Sequence, residues 1–267
     1  MTAVSGALTG RPIACSGTTA APARVSSLSP RLLLGLLVVW LLFDRAAAAL
    51  GSDRGQAGLI VAGVVIAATL AVESLLFREP IGAAARALGL GRPAIPGVLA
   101  ATVLGLLLLL VFPVFAALTG TGLAMTAGWL RRVPGLFAQG GLAEEALFRG
   151  YLFRRLRPGR SFARAAWAAA GPFAAVHLVL LLTMPWPVAL AAVGLAIVLS
   201  FPLAQLFELG GRTIWAPAIL HCVAQGAIKV VAAPAEAGVI LPLLWMAACA
   251  TIPWLAFAWR RPAELDA

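Results

Sequence analysis

Charge is scarce in this chain. Only 11% of its 267 residues are charged, against about 25% in an ordinary soluble domain. With 62% hydrophobic residues and a mean hydropathy of +0.99, that scarcity rules out a soluble globular protein and indicates an integral membrane chain. The apolar runs are continuous rather than alternating, which argues against a β-barrel. There are three cysteines, Cys15, Cys222 and Cys249, without paired or metal-ligand spacing, so neither a disulfide framework nor a zinc knuckle is indicated. No internal repeat is visible, and with it goes the commonest sequence pointer to a secondary transporter. Acids are the rarer sign, ten against twenty Lys and Arg. The basic excess lies in short segments between apolar spans without interleaved aromatics, so it reads as a topology signal toward an anionic leaflet and not as nucleic-acid binding.

What is present is a series of apolar runs of about 20 residues, the length a bilayer requires. Spans are predicted near 31–50, 57–77, 95–118, 136–156, 163–183, 187–208, 213–233 and 238–259, giving an all-α polytopic bundle of about eight transmembrane helices over residues 31–262. Residues 1–30, rich in Ser, Thr, Ala, Pro and Gly, read as a disordered tail without a cleavable signal peptide. Every second connection is basic, with the run Arg154, Arg155, Arg157, Arg160 and Arg164 the densest. This predicts both termini on the cytoplasmic side of a bacterial-type inner membrane. The weakest fit is the Arg131–Arg132 pair, and 121–137 is a candidate interfacial helix.

Within this apolar background the segment Gly141-Leu-Ala-Glu144-Glu145-Ala-Leu-Phe-Arg149-Gly150 is the most costly. A charge at the bilayer centre costs roughly 3 kcal/mol on insertion scales, so such residues are functional candidates whose partners must be named. Glu145 and Arg149 are spaced i, i+4 and share a helical face, whereas Glu144 points about 140° away from Arg149. Glu144 is thus predicted to be the acid without a local counter-charge, free to face a cavity. Both histidines of the chain also lie inside spans, Phe173/His177 and His221/Gln225 each lining one face at i, i+4. Counted from the nearest basic connection at ~1.5 Å per residue, Glu144, His177 and His221 all reach a depth of roughly 13–20 Å, near the midplane. A carboxylate with a neutral imidazole can activate water, and a second imidazole with an amide can stabilise an oxyanion, which suits amide hydrolysis. Glu73, Glu208 and Lys229 read instead as snorkelling or interfacial residues at span ends.

Glu144-Glu145-x-x-x-Arg149, Phe173-x-x-x-His177 and His221-x-x-x-Gln225, in this order in a multi-helix membrane chain, resemble the CPBP intramembrane proteases. This family includes the type II CAAX prenyl endopeptidases and the bacteriocin-processing and self-immunity proteins, also called the Abi family. The similarity covers roughly residues 95–260. It implies an endopeptidase cleaving a membrane-associated or prenylated peptide or protein, with Glu144 and His177 activating water, His221 and Gln225 forming the oxyanion hole, and Glu145, Arg149 and Phe173 orienting the site. The family usually has asparagine where this chain has Gln225, and the extra methylene moves the amide by more than about 1 Å, enough to weaken an oxyanion contact. Zinc has been described for the family, but no close His-x-x-x-His spacing is present, and a cofactor-free glutamate mechanism is the expectation. The expected partners are the lipid bilayer and a peptide or lipidated protein substrate. Two alternatives use the same residues: a proton-coupled transporter, and a catalytically weak or inactive partner-binding or immunity protein, the latter motivated by Gln225.

Overall fold

The structure, a computed structural model, describes residues 28–50, 55–234 and 237–259. Most of the predicted N-terminal tail, Cys15, Arg54 and the basic pair Arg260–Arg261 lie outside the described residues. The described residues form nine helices: α1 (Pro30–Ala49), α2 (Gln56–Phe77), α3 (Ile81–Ala87), α4 (Ile95–Thr119), α5 (129–156), α6 (Phe162–Leu182), α7 (Trp186–Leu209), α8 (Trp215–Val230) and α9 (Ile240–Ala258). Ser29 and Pro30, read from the sequence as tail, are the cap and first residue of α1: Ser29 Oγ accepts from Leu32 N at 3.3 Å, and the fixed φ of proline suits a first helical turn.

Six of these helices are long and apolar enough to cross a membrane, namely α1, α2, α4, α6, α7 and α9. Their leucines are exposed on the outside, as at Leu33, Leu34, Leu37 and Leu41 of α1. That is the arrangement expected where lipid and not water is the solvent. The other two predicted spans differ. α5 carries Glu144, Glu145 and Arg149 within two turns, and α8 has only 16 residues. Both pack inside the bundle, α8 against α4, α5 and α7. The segment 121–137, expected as an interfacial helix, instead opens with a two-residue strand, β1 (Ala124–Met125), paired antiparallel with β2 (Val231–Ala232). Only from Trp129 does it become helical, running on into α5.

Two apolar clusters form the interior. One joins α1, α2, α5 and α6 around Leu36, Val65, Phe148 and Phe173; the other joins α4, α8 and α9 around Leu104, Leu220 and Trp245. α7 contributes to both, and the polar residues of α5 and α8 lie at the seam. Small residues allow the approach: a Cβ on Gly141 would meet the Ala218 carbonyl of α8 at 2.8 Å. α5 is irregular here, with π-helical turns over Phe137–Ala143 and Ala146–Phe153 flanking Glu144 and Glu145. Such turns change the angular register of a helix and recur at functional sites.

Candidate active site

Adjacent glutamates on one helix must diverge by about 100°, and here they enter two different environments. Glu145 is fully buried and Arg149 is 3% exposed, with Arg149 Nη1 donating to Glu145 Oε1 at 3.0 Å. The same oxygen accepts from His221 Nδ1 at 2.6 Å, across the α5–α8 seam. Burying one charge uncompensated would cost several kcal/mol, so the ion pair is what keeps both charges inside. Both contacts fall on Oε1, and Glu145 Oε2 and Arg149 Nη2 are buried without a hydrogen-bond partner among the described residues. Donation from Nδ1 fixes the orientation of the His221 ring and turns its Nε2 toward Glu144 Oε2, 3.7 Å away. The Arg149 guanidinium also stacks 4.6 Å above the Phe173 ring, which in turn meets both imidazoles edge to face, His177 at 4.8 Å and His221 at 6.0 Å between centroids.

Glu144 has no arginine partner. Its Oε1 accepts a hydrogen bond from Gln225 Nε2 at 2.9 Å, and it lines a cavity of about 180 Å³ together with His177, Phe148, Val176 and the α1 residues Trp40 and Asp44. His177 Nδ1 lies 2.7 Å from the Phe173 carbonyl. A carbonyl accepts only, so Nδ1 carries the proton and Nε2 is left as an acceptor. The cavity thus contains the Glu144 carboxylate and an imidazole lone pair between largely apolar walls, with a second carboxylate, Asp44, at the α1 side, where it is paired with Arg45.

All the residues singled out from the sequence, Glu144, Glu145, Arg149, Phe173, His177, His221 and Gln225, are brought to this one region. Gln225 is engaged at both ends of its carboxamide. Its amide nitrogen is taken by Glu144, and its Oε1 accepts from Lys229 Nζ at 3.3 Å. The lysine sets the orientation, because an ammonium can only face the carbonyl end of the carboxamide and so directs the NH₂ end at Glu144. Lys229 is therefore not a snorkelling residue. The spacing His221, Gln225, Lys229 at successive i, i+4 steps was the signal for one polar stripe on α8. Gly140 accommodates this stripe, since a Cβ there would run into Gln225 Oε1. Asp44 lies near the end of the first span, and its place in the cavity wall depends on how α1 packs on α5, which spacing along α1 does not encode.

Glu73 and Glu208 also depart from the interfacial reading. Glu73 of α2 is fully buried and holds both Arg154 (2.8 Å) and Arg155, while Arg155 stacks over Phe77 at 3.4 Å. Glu208 binds Arg157 at 2.6 Å. Helices α2 and α7 thus supply acids to a basic run that, seen alone in the sequence, looks solvent-facing.

Each imidazole spends its Nδ1 within the protein and keeps Nε2 as its open nitrogen, Glu145 is held by Arg149, and among the described residues no group of three His, Cys, Asp or Glu side chains is gathered as a metal site.

No curated protein matches the chain. Residues 132–227 match the family model described as type II CAAX prenyl endopeptidase Rce1-like. That stretch spans α5 to α8 up to Ala227 and contains all seven residues of the three motifs. The chain is thus a multi-pass helical bundle that is similar, across its centre and at the seam where these motifs meet, to the type II CAAX prenyl endopeptidases.

Proposed function

We propose that the chain is an intramembrane endopeptidase that hydrolyses a peptide bond of a membrane-associated, prenylated or unprenylated peptide or protein, with Glu144 as general base. The observation that carries this reading is the division between the two glutamates: Glu145 is neutralised by Arg149 and His221, while Glu144, without a cation clamped to it, opens with His177 onto one cavity.

The chemistry follows from the acceptors. A water between Glu144 and His177 Nε2 donates one O–H to each and turns its lone pairs toward the substrate. As it attacks the scissile carbonyl carbon, its proton passes to Glu144 and the carbonyl π electrons move onto oxygen. Collapse of the tetrahedral intermediate breaks the C–N bond, and Glu144 returns the proton to the leaving amine. His221, between two carboxylates, offers an Nε2–H to the oxyanion when it is an imidazolium. Gln225 then acts as the residue that orients Glu144. The apolar walls, Trp40, Phe43, Ala47, Val179 and Leu180, suit an apolar substrate segment.

The test is cleavage of a peptide library, prenylated and unprenylated, by the chain in liposomes. Glu144→Gln and His177→Ala are expected to abolish turnover with the folded fraction unchanged; cleavage at the wild-type rate by either variant overturns the mechanism. A second reading, a family scaffold without catalysis that binds a membrane partner, is favoured by one observation: the Gln225 amide already occupies Glu144. An inactive wild type that gains nothing from Gln225→Asn supports it, and robust wild-type cleavage excludes it. Glu144-dependent proton flux across liposomes would instead indicate the transporter alternative.

A further inference from the structure

A second cavity, of about 320 Å³, opens where α5 and α7 end, away from the proposed catalytic residues. Its charged lining is Arg154, Arg157, Arg212 and Glu208, and its floor includes Phe153 and Phe207, whose rings meet edge to face at 6.1 Å. Even with Glu73, which pairs with Arg154 from behind the lining, three guanidiniums stand against two carboxylates and leave an excess of positive charge in a partly enclosed space. Arg154 and Arg157 are positioned by protein: Arg154 Nε donates to the Gly150 carbonyl at 2.8 Å, and Arg157 Nε to Glu208 at 2.6 Å. A guanidinium carries five N–H groups, so each of them keeps donors in reserve. Arg212 is different. Its backbone is set, with its N–H donating to the Phe207 carbonyl at 2.8 Å, but its side chain makes no hydrogen bond or ion pair among the described residues. Its φ of 61° is a left-handed conformation that glycine or asparagine would adopt with less strain, and strain of this kind marks functional positions.

The surrounding connections reinforce the field. Ala94 N donates to the Gly210 carbonyl and Ile214 N to the Gly89 carbonyl, at 3.0 and 3.1 Å, which brings Arg92 to the same end of the bundle as Arg212. Planar guanidiniums around an open space match the oxygens of a phosphate. The adjacent phenylalanines suit the glycerol and acyl portion of a lipid, and basic pockets between membrane helices are where anionic head groups bind.

The geometry points to a phosphate-binding site formed by Arg154, Arg157 and Arg212 at the α5–α7 end of the bundle, whose phosphate is carried by an anionic phospholipid head group or by free inorganic phosphate. The site does not depend on the proteolytic reading, because its ligand and its readout are separate from peptide cleavage.

The full chain is reconstituted in nanodiscs of phosphatidylcholine alone and of phosphatidylcholine with phosphatidylglycerol, and its thermal unfolding is followed. A third sample holds phosphatidylcholine with inorganic phosphate, against chloride at equal ionic strength. A ligand that binds the native state raises the midpoint, here by about 3–5 °C. A shift with phosphatidylglycerol only identifies the lipid head group; a matching shift with inorganic phosphate identifies the free ion. Arg212→Asn, which tolerates the left-handed backbone, is expected to lose at least half of the shift. Arg212→Lys is expected to keep more of it, and Arg164→Gln, at an exposed arginine outside the lining, to keep all of it. Absence of a shift in both arms overturns the site. So does a loss in Arg164→Gln equal to that in Arg212→Asn, which reports a diffuse surface field, or an equal loss in Arg212→Asn and Arg212→Lys, which reports a disturbed turn.

Discussion

Two buried carboxylates on this bundle bind arginines of α5, yet they do different work. Glu73 of α2 is matched by two guanidiniums, Arg154 and Arg155, with aromatic rings stacked on the second. Glu145 is matched by one, and the imidazole of His221 meets the same carboxylate oxygen. Around Glu73 the titratable groups are consumed in joining α2 to α5. Around Glu145 there is a remainder: a neighbouring acid, Glu144, that no arginine neutralises and that meets a cavity. Burial of charge is therefore not what distinguishes a site from a brace. The unmatched group beside an open space is the distinguishing feature, because only such a group has a proton affinity free to be used on a ligand.

This comparison is most severely tested by removing the unmatched acid. Glu144→Gln is expected to lower peptide hydrolysis by about 10²–10⁴-fold, the range for loss of a general base, with the unfolding midpoint in detergent unchanged. Equal losses of stability for Glu144→Gln and Glu73→Gln would erase the distinction. Next in size, Arg149→Ala leaves Glu145 buried without its cation and is expected to destabilise by about 3–5 kcal/mol, as is Glu73→Ala through its two stranded guanidiniums. Thermal unfolding of the two variants side by side measures this, and only Arg149→Ala should also disturb the NMR signals of the His221 ring. A smaller effect is expected for Gly140→Ala, whose methyl displaces the Gln225 carboxamide from Glu144. Turnover should fall roughly tenfold, the equivalent of one hydrogen bond of about 1.4 kcal/mol, while stability changes little. Least of all, Lys229→Met frees the carboxamide to rotate and should reduce turnover a few-fold. A lysine that merely snorkels would give no change.

Parts of this were legible along the chain because they depend on separations of four residues. The Glu145–Arg149 pair and the shared faces of Phe173/His177 and of His221/Gln225 follow from helical pitch alone. Lys229, one further step along the same stripe, was equally accessible but was outweighed by its place near a span end. Glu73 and Glu208 were not accessible in this way. Their partners lie 81 and 51 residues away, and a carboxylate at a helix end looks the same in sequence whether it meets water or an arginine. The same holds for Asp44, which enters the cavity wall only through the packing of α1 on α5. The weak membrane-spanning character of α5 and α8 was visible as polar residues, but their internal position was not: a helix carrying charges can cross at the centre of a bundle only when neighbours shield it from lipid.

By itself the sequence determined the apolar helical bundle, because hydrophobic length and continuity are properties of single segments. It also determined which acid of the Glu144–Glu145 pair could meet Arg149, because one helix contains all three. Tertiary structure alone decided that His221 spends its Nδ1 on Glu145, that Gln225 and Lys229 orient Glu144, and that Glu73 braces α2 against α5. Each of these joins separate helices at hydrogen-bonding distance, and in apolar surroundings such choices are made by which buried polar groups must satisfy one another when the helices close.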